Sequence, residues 1–516
     1  MALRERLGIT VSGPAGRRRR RGALVLLTWL LVWAIGTGAA RAGQEAATAP
    51  AAPAAPAATV APTPTPDLKE LEISILKARL ARAEEARRGD HIGRLVYETQ
   101  LGVAALRGFP VRGLVQYAPL DDGVLTKIFN TSVEKQFPDK SLEQWTWLSA
   151  LFGELPEGYD LKAEMRKLIG EQVAGLYDPD SKRLYVSQTF ALDSAMGRTI
   201  LAHEITHAMQ DQNFDLRRMG IEAEENDDLA TAISCIAEGD ATLAMGEYLV
   251  TQGRLFNLLL DLPKMLLMDQ KEFEQSPKAI QQSMIFPYVQ GMTFFQELGG
   301  RTRQRPGGNR AAGLSTWRSD VFAQPPISTS QILHPRQYLL NKRPARIPPF
   351  EVEDSKLAST NVVGEFGIRG LLDAALEPAL DSGATRRGQA ANKLDLSSML
   401  AGEDALNVSP RAAAAAEGWN GDRILIEDDA TGEHRTLRWV TRWDTARDAA
   451  EFRAALRDAL QARLGDGVKW GEKENGEDSS RPTITAEGAK ARLTIDSPEE
   501  TSVRMEGTFA LTPAAR

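Results

Sequence analysis

Apolar residues recur along this chain at two periods, helical and alternating, and the change from one to the other divides it. Leu68, Leu71, Ile75, Leu76 and Leu80 stand at helical spacing among charged residues, which predicts an amphipathic helix over 67–88. Residues 92–170 read as mainly helical. The run from Gly175 to Val186 then reads as strand, turn, strand, because Asp178-Pro179-Asp180-Ser181 interrupts two short apolar stretches. Ser194 is placed to cap a helix from about Ala195 to Gln212, with Ile200, Leu201, Ile205, Ala208 and Met209 as its buried stripe. Further helices are predicted from about Asp227 to Thr251 and on to about Leu298. Gly307-Gly308-Asn309 marks a loop.

Past Pro348 the texture changes. An Ala/Gly-rich stretch over 376–418 leads to two predicted strands, Asp422–Glu427 and Arg435–Arg442. A helix follows from Thr445 to Leu464, with Ala449, Phe452, Leu456 and Leu460 on one face. Residues 483–510 alternate as two or three strands. The expected fold class is α+β: a mostly helical body with a small sheet, and a separate small α+β module over 420–516. Within that body, Arg183–Gln188 is expected to form an edge strand, to which an extended peptide adds by main-chain hydrogen bonds.

The N-terminal pattern is of another kind. Arg17 to Arg21 precede the apolar run Gly22–Ile35, and Ala40-Arg41-Ala42 supplies the small residues of a cleavage site, so residues 1–42 read as a signal peptide. The apolar run is shorter than the roughly 20 residues of a membrane-spanning helix, which favours cleavage over an uncleaved anchor. Export to the periplasm or medium, without stable membrane insertion after cleavage, is the expectation. Residues 43–66 form an Ala/Pro-rich linker carrying six prolines.

Composition narrows the chemistry. With 42% hydrophobic and 25% charged residues, the 516-residue chain is ordinary globular protein. Residues 1–42 hold eight Arg and one Glu, so their removal takes the formal charge from −7 to −14, which disfavours nucleic acid and anionic membrane as partners. The single cysteine, Cys235, excludes an intramolecular disulfide and thiolate zinc knuckles, and among apolar neighbours it reads as a small buried side chain.

Against this background stands His203-Glu204-Ile205-Thr206-His207. Residues four apart share a helix face, so His203 and His207 are able to direct two imidazoles at one Zn²⁺, with Glu204 beside them as general base. A third protein ligand is needed. Glu238 is the favoured one, in Ile236-Ala237-Glu238-Gly239-Asp240, because a carboxylate among apolar neighbours needs a partner such as a metal. Gly239 in mid-helix costs about 1 kcal/mol against Ala, which makes sense if another element approaches closely there. Asp240, Glu247 and His334 are the competing ligands. For the developing oxyanion of a hydrolysis, His334 and Tyr338 share a helix face and are candidate catalytic donors, although His334 also reads as a cap before Pro335; Tyr288 is a weaker candidate. His91 and His434, flanked by charges, read as surface residues.

The pentad with a downstream glutamate resembles the gluzincin branch of zinc metallopeptidases, to which thermolysin belongs. The strings Tyr177–Val186, Ala202–Gln212 and Ala237–Thr242 are similar to those of a poorly characterised family of exported bacterial proteins in that branch, over about residues 110–460. The resemblance implies a metallopeptidase domain over 171–348 after a helical region over 67–170, with 349–419 as a connecting region. It also implies hydrolysis of peptide bonds in a protein or peptide substrate by a zinc-activated water, Glu204 carrying the proton. One departure matters: where thermolysin-like enzymes carry an aspartate four residues after the glutamate ligand, this chain has Thr242. The partner that orients a ligand histidine is therefore open between Asp211 and Asp240. Two further readings stand beside the enzyme: a non-catalytic binding or assembly protein on the same scaffold, and a segment 67–170 that covers the cleft as a propeptide would.

Overall fold

The computed structural model describes Ser74 and residues 91–511, apart from 137–140, 171–174, 188–190, 253–272, 303–316, 377–407, 476–477 and the single positions 193, 222, 224, 274, 353 and 355. The expected signal peptide and linker, all of the expected helix 67–88 but Ser74, the expected loop at 307–309 and most of the Ala/Gly-rich stretch lie outside the described residues. In chain order the body contains α1 (His91–Arg107), β1 (Gln116–Leu120), α2 (Asp122–Gln136), α3 (Ser141–Phe152), α4 (Leu161–Gly170), β2 (Gly175–Asp178), β3 (Arg183–Ser187), α5 (Ala195–Phe214), α6 (Leu216–Met219), α7 (Asp227–Thr251) and α8 (Lys278–Thr302). Three short helices follow, α9 (Arg318–Ala323), α10 (Thr329–Leu333) and α11 (Pro335–Leu339). Then come β4 (Ala358–Asn361), α12 (Gly364–Leu376), α13 (Pro410–Ala416), β5 (Trp419–Asp428), β6 (His434–Trp443), α14 (Ala446–Leu464), β7 (Val468–Asn475), β8 (Asp478–Gly488), β9 (Ala491–Asp496) and β10 (Ser502–Ala510). The fold is α+β. No helix among the described residues is long and apolar enough to cross a membrane.

Helix α5 is the axis of the body. It starts where Ser194 accepts a hydrogen bond from the Gly197 amide, and it ends at Asp215, which takes a left-handed backbone conformation. The expected one-sided stripe is too modest a description, because every residue from Ala195 to Asp211 is buried. Leu201, Ala202, Ile205, Ala208 and Met209 share a core with Leu95, Val96, Val103 and Ala104 of α1 and with Tyr177, Leu184 and Val186 of the hairpin. Helix α1 thus shares in the packing that holds α5. A segment that builds this core, and supplies a strand to the sheet beside it, is not a detachable cover, so the propeptide reading of 67–170 fails for the described part of that region.

The small sheet corrects the reading of its edge. Its order is β1-β3-β2, so Arg183–Ser187 is the central strand. Strand β1 pairs with it in parallel from Gln116↔Arg183 to Leu120↔Ser187, and β2 pairs antiparallel from Gly175↔Val186 to Asp178↔Arg183. Sequence reading passed over β1 inside a region taken as helical, since Gln116-Tyr117-Ala118-Pro119-Leu120 has no apolar alternation and holds a proline. Pro119 lacks an amide proton, which confines such a strand to a sheet edge, and an edge is where β1 lies.

Helices α7 and α8 meet at two glycines. A Cβ on Gly239 would fall 2.2 Å from the Gly291 carbonyl carbon, and one on Gly291 would fall 1.9 Å from the Cys235 oxygen, so the helix backbones touch. This is the close approach that Gly239 led one to expect. Cys235 is fully buried, and burial pushes its thiol well above the ordinary range, as suits a packed side chain.

The C-terminal sheet is antiparallel throughout, in the order β4-β5-β6-β10-β9-β8-β7. Helix α14 opens with a capping box between Thr445 and Asp448, and its Phe452, Leu456 and Leu460 share a core with Trp439, Leu493, Ile495 and Met505 of the sheet. The module is larger than expected. It takes in β4 from before residue 420, and β7, whose Val-Lys-Trp-Gly-Glu-Lys-Glu-Asn carries too little apolar residue to announce a strand. It is also not separate, since Leu148 and Phe152 of α3 and Ile233 and Ile236 of α7 belong to the same apolar cluster as Trp439 and Phe452. The ring of Phe152 sits edge-on to Trp439 at 6.4 Å, and the Gln144 amide donates to the Leu357 carbonyl at 2.8 Å.

Candidate metal centre

Three side chains converge where α5 crosses α7. The Nε2 atoms of His203 and His207 are 3.0 Å apart; Glu238 Oε2 lies 3.0 Å from the first and Oε1 3.3 Å from the second. Zinc bonds of about 2.0–2.2 Å at tetrahedral angles would hold donor atoms about 3.3 Å apart, a spacing close to the one observed here. Among the described residues this is the group of histidine and acidic side chains spaced to hold an ion. The spacing of four along α5 aligns the imidazoles, and the glycine contact between α7 and α8 fixes the depth of Glu238. Relative exposures are 1% for His203, 4% for Glu204, 6% for His207 and 0% for Glu238, which makes the charges here strongly interacting.

Burial alone would raise the Glu238 carboxyl, but the two histidines outweigh it and hold the group down at about 2. Burial likewise disfavours the charged form of both imidazoles. For His207 the Glu238 carboxylate prevails and raises it to about 9, whereas for His203 burial prevails and the value is lowered. Beside the Glu238 carboxylate, positive charge is therefore favoured on His207 and disfavoured on His203.

Glu204 projects beside the trio. Its Oε2 accepts a hydrogen bond of 2.8 Å from the Tyr177 amide of β2, and burial pushes its carboxyl up to about 7, with His207 and that amide opposing the rise. Such a group exchanges protons near neutral pH, as a general base needs to. The same Tyr177 donates its hydroxyl to Asp211 at 2.6 Å, and Lys182 Nζ binds Asp211 at 2.7 Å. Two points one residue's width of hairpin apart, but two turns apart on α5, therefore lock β2 along the helix.

The remaining candidates are accounted for elsewhere. His334 Nε2 lies 2.8 Å from Glu365 Oε1, and the Tyr338 hydroxyl donates to the Gln324 carbonyl at 2.9 Å, so both expected oxyanion donors have partners outside the trio. The physical reason is local: Glu365 on α12 is a fully buried carboxylate, and His334 with Arg369 supplies its charge partners. His334 does sit at the N-cap of α11 before Pro335, but its side chain makes no capping hydrogen bond. Tyr288, the weaker candidate, is the aromatic at the site, its ring stacked on His203 at 5.9 Å and 12°. The competing ligands are also engaged away from it. Asp240 Oδ1 is held by Arg107 at 2.8 Å and Arg318 at 2.9 Å, and Glu247 is held by Arg318 at 2.9 Å. His434 is exposed and paired with Asp429, as a surface histidine.

Among the described residues, neither Asp211 nor Asp240 forms a hydrogen bond with His203 or His207. Gln210 does: its Oε1 lies 3.0 Å from His207 Nδ1. Sequence reading missed Gln210 because glutamines on helices are ordinary. The available signal was its place three residues after His207, on the same face as the pentad.

A family model described as a domain of unknown function (DUF8575) matches residues 353–508. Those bounds enclose the C-terminal sheet from β4 into β10, together with α12 to α14. Neither the curated proteins nor the solved structures contain a match. The matched family therefore covers the C-terminal unit and leaves His203, Glu204, His207 and Glu238 outside it.

Proposed function

We propose that the protein is an exported zinc-dependent metallopeptidase. The observation that carries this reading is the convergence of three donor atoms, His203 Nε2, His207 Nε2 and a Glu238 oxygen, at 3.0–3.3 Å, with Glu204 adjacent. Three protein donors rather than four are the pattern of a catalytic zinc, which keeps one position for substrate or water. A zinc ion there would supply Lewis acidity, polarising a carbonyl and bringing the pKa of water toward neutrality. Glu204, fixed at one oxygen by the Tyr177 amide, takes the proton of the attacking water on its other oxygen and delivers it to the departing amine. Tyr288 replaces His334 and Tyr338 as the candidate hydrogen-bond donor to the oxyanion. The polypeptide substrate class rests on this chemistry and on the resemblance of the motifs. The edge-strand argument no longer supports it, since β3 is central and all four residues of β2 are buried.

The test uses the chain from residue 43 onward. It is expected to hold about one zinc, measured by plasma mass spectrometry, and to cleave casein or a peptide library. Glu204→Gln is expected to keep the zinc and lose activity by about 10²-fold or more. A wild-type chain holding no more zinc than His203→Ala would overturn the metal centre. Zinc bound without hydrolysis of any peptide would replace the enzyme by a metal-stabilised binding or assembly protein.

A further inference from the structure

The geometry points to Gln210 as the positioning residue that fixes which nitrogen of His207 faces the metal, through a buried relay anchored on Arg107 and Arg318. This assignment rests on reading the trio as a metal centre. The Gln210 amide nitrogen donates to two oxygens, the Ala237 carbonyl at 3.0 Å and Asp240 Oδ2 at 3.0 Å. The carbonyl only accepts, and Asp240 faces two cations, Arg107 and Arg318, whose nitrogens lie 2.8 and 2.9 Å from its Oδ1. Gln210 and Asp240 are completely buried, so no solvent offers the amide another partner.

These contacts remove the choice of orientation that a glutamine side chain otherwise has. Turned over, the amide would set its oxygen against a carboxylate and a carbonyl in a dry interior, with no hydrogen between them. Its oxygen must therefore face His207 Nδ1, 3.0 Å away, and that nitrogen must be the donor. When an ion binds, the imidazole is neutral and carries that one N–H, so Nε2 of His207 keeps its lone pair for the metal. The relay runs from α1 (Arg107) and α9 (Arg318) to α7 (Asp240), then to α5 (Gln210 and His207), and so couples four helices to one ligand nitrogen. His203 is held differently: its Nδ1 has no hydrogen-bond partner among the described residues, and Tyr288 stacks on its ring.

The experiment measures zinc affinity of the exported chain by competition with a fluorescent chelator, beside ¹⁵N nuclear magnetic resonance of the histidine rings. Wild-type protein loaded with zinc is expected to show a slowly exchanging proton on Nδ1 of His207. Gln210→Met, which keeps the length of the side chain and removes the acceptor, is expected to bind zinc about 10–100-fold more weakly and to lose that slow exchange. Zinc affinity equal to wild type in Gln210→Met, or an unprotonated Nδ1 in the wild type, would overturn the assignment. If the wild type binds no zinc, the metal reading fails by itself. The metal-free wild type in its neutral-imidazole form still decides the relay: a proton on Nδ1 supports it and a proton on Nε2 refutes it.

Discussion

Gly239 and Gly291 show how single residues set the depth of the site. Replacing either by Ala would improve intrinsic helix propensity by about 1 kcal/mol. Yet the new methyl would lie 2.2 or 1.9 Å from backbone atoms of the facing helix, which have no rotamer by which to move aside. Overpacking of this kind costs about 1–3 kcal/mol or more, so the clash outweighs the propensity. Gly239→Ala is expected to lower stability in urea unfolding and, because Glu238 is its neighbour, to weaken zinc binding as well. A variant of wild-type stability would show that the two helices separate freely. Tyr177 makes a contrasting case, since its backbone and side chain do different work. Tyr177→Phe removes a hydroxyl bonded to a buried carboxylate and is expected to cost about 1.5–3 kcal/mol in thermal or urea unfolding. Peptide hydrolysis should be unaffected, because Phe keeps the amide that holds Glu204. Loss of activity without loss of stability would mean that the hydroxyl acts on the site.

Among the elements, α7 carries most of the connections. It begins with Asn226 as a side-chain cap, and the Asp228 amide donates to the Val362 carbonyl beside the C-terminal sheet. The Asp228 carboxyl accepts from the Thr329 amide at 2.9 Å and from the Thr329 hydroxyl, tying α7 to α10. Burial raises this carboxyl from 3.8 to about 7, against the pull of those hydrogen bonds. The folded chain thus keeps a proton on Asp228 over a range in which the unfolded chain has lost it. The group's stabilising contribution is whole below about pH 4 and is lost as the pH rises through about 7. Asp228→Asn, unable to titrate, is expected to gain stability relative to wild type between those limits, measured by urea unfolding at several pH values. Parallel curves for the two proteins would count against a protonated Asp228.

At the scale of the whole molecule, the body that carries His203, His207 and Glu238 and the C-terminal sheet share one interior. Leu148, Phe152, Ile233 and Ile236 lie in the same cluster as Trp439, Trp443 and Phe452, so a chain ending at residue 352 would expose the inner faces of α3 and α7. Burial of each large apolar side chain contributes about 1.5–3 kcal/mol, and a domain's net stability is only about 5–15 kcal/mol. Loss of several such contacts exceeds that margin. Residues 43–352 alone are expected to show no cooperative thermal transition by circular dichroism and no tight zinc binding. A cooperative fold that holds zinc would show that the sheet is an accessory. The family match over 353–508 then reads as a unit that is recurrent in sequence but not independent in this chain's packing.

What the residues by themselves determined was local. His203, Glu204 and His207 follow from a spacing of four on a capped helix, because helical geometry alone puts such side chains on one face. The hairpin Gly175–Val186, the helix Asp227–Thr251 and the alternating strands near the C-terminus were legible for the same reason. Glu238 was legible in part, from the oddity of a carboxylate and a glycine among apolar neighbours. Only the tertiary structure decided the rest. Strand order within a sheet has no trace in a strand's own alternation, so β3 moved from the edge to the centre once β1 paired with it. The partners of His334, Tyr338 and Tyr288 depend on where α8, α11 and α12 meet, which no short-range pattern encodes. Gln210 became visible only when α7 brought Ala237 and Asp240 to the far side of its amide, because a glutamine's orientation is set by what surrounds it in space.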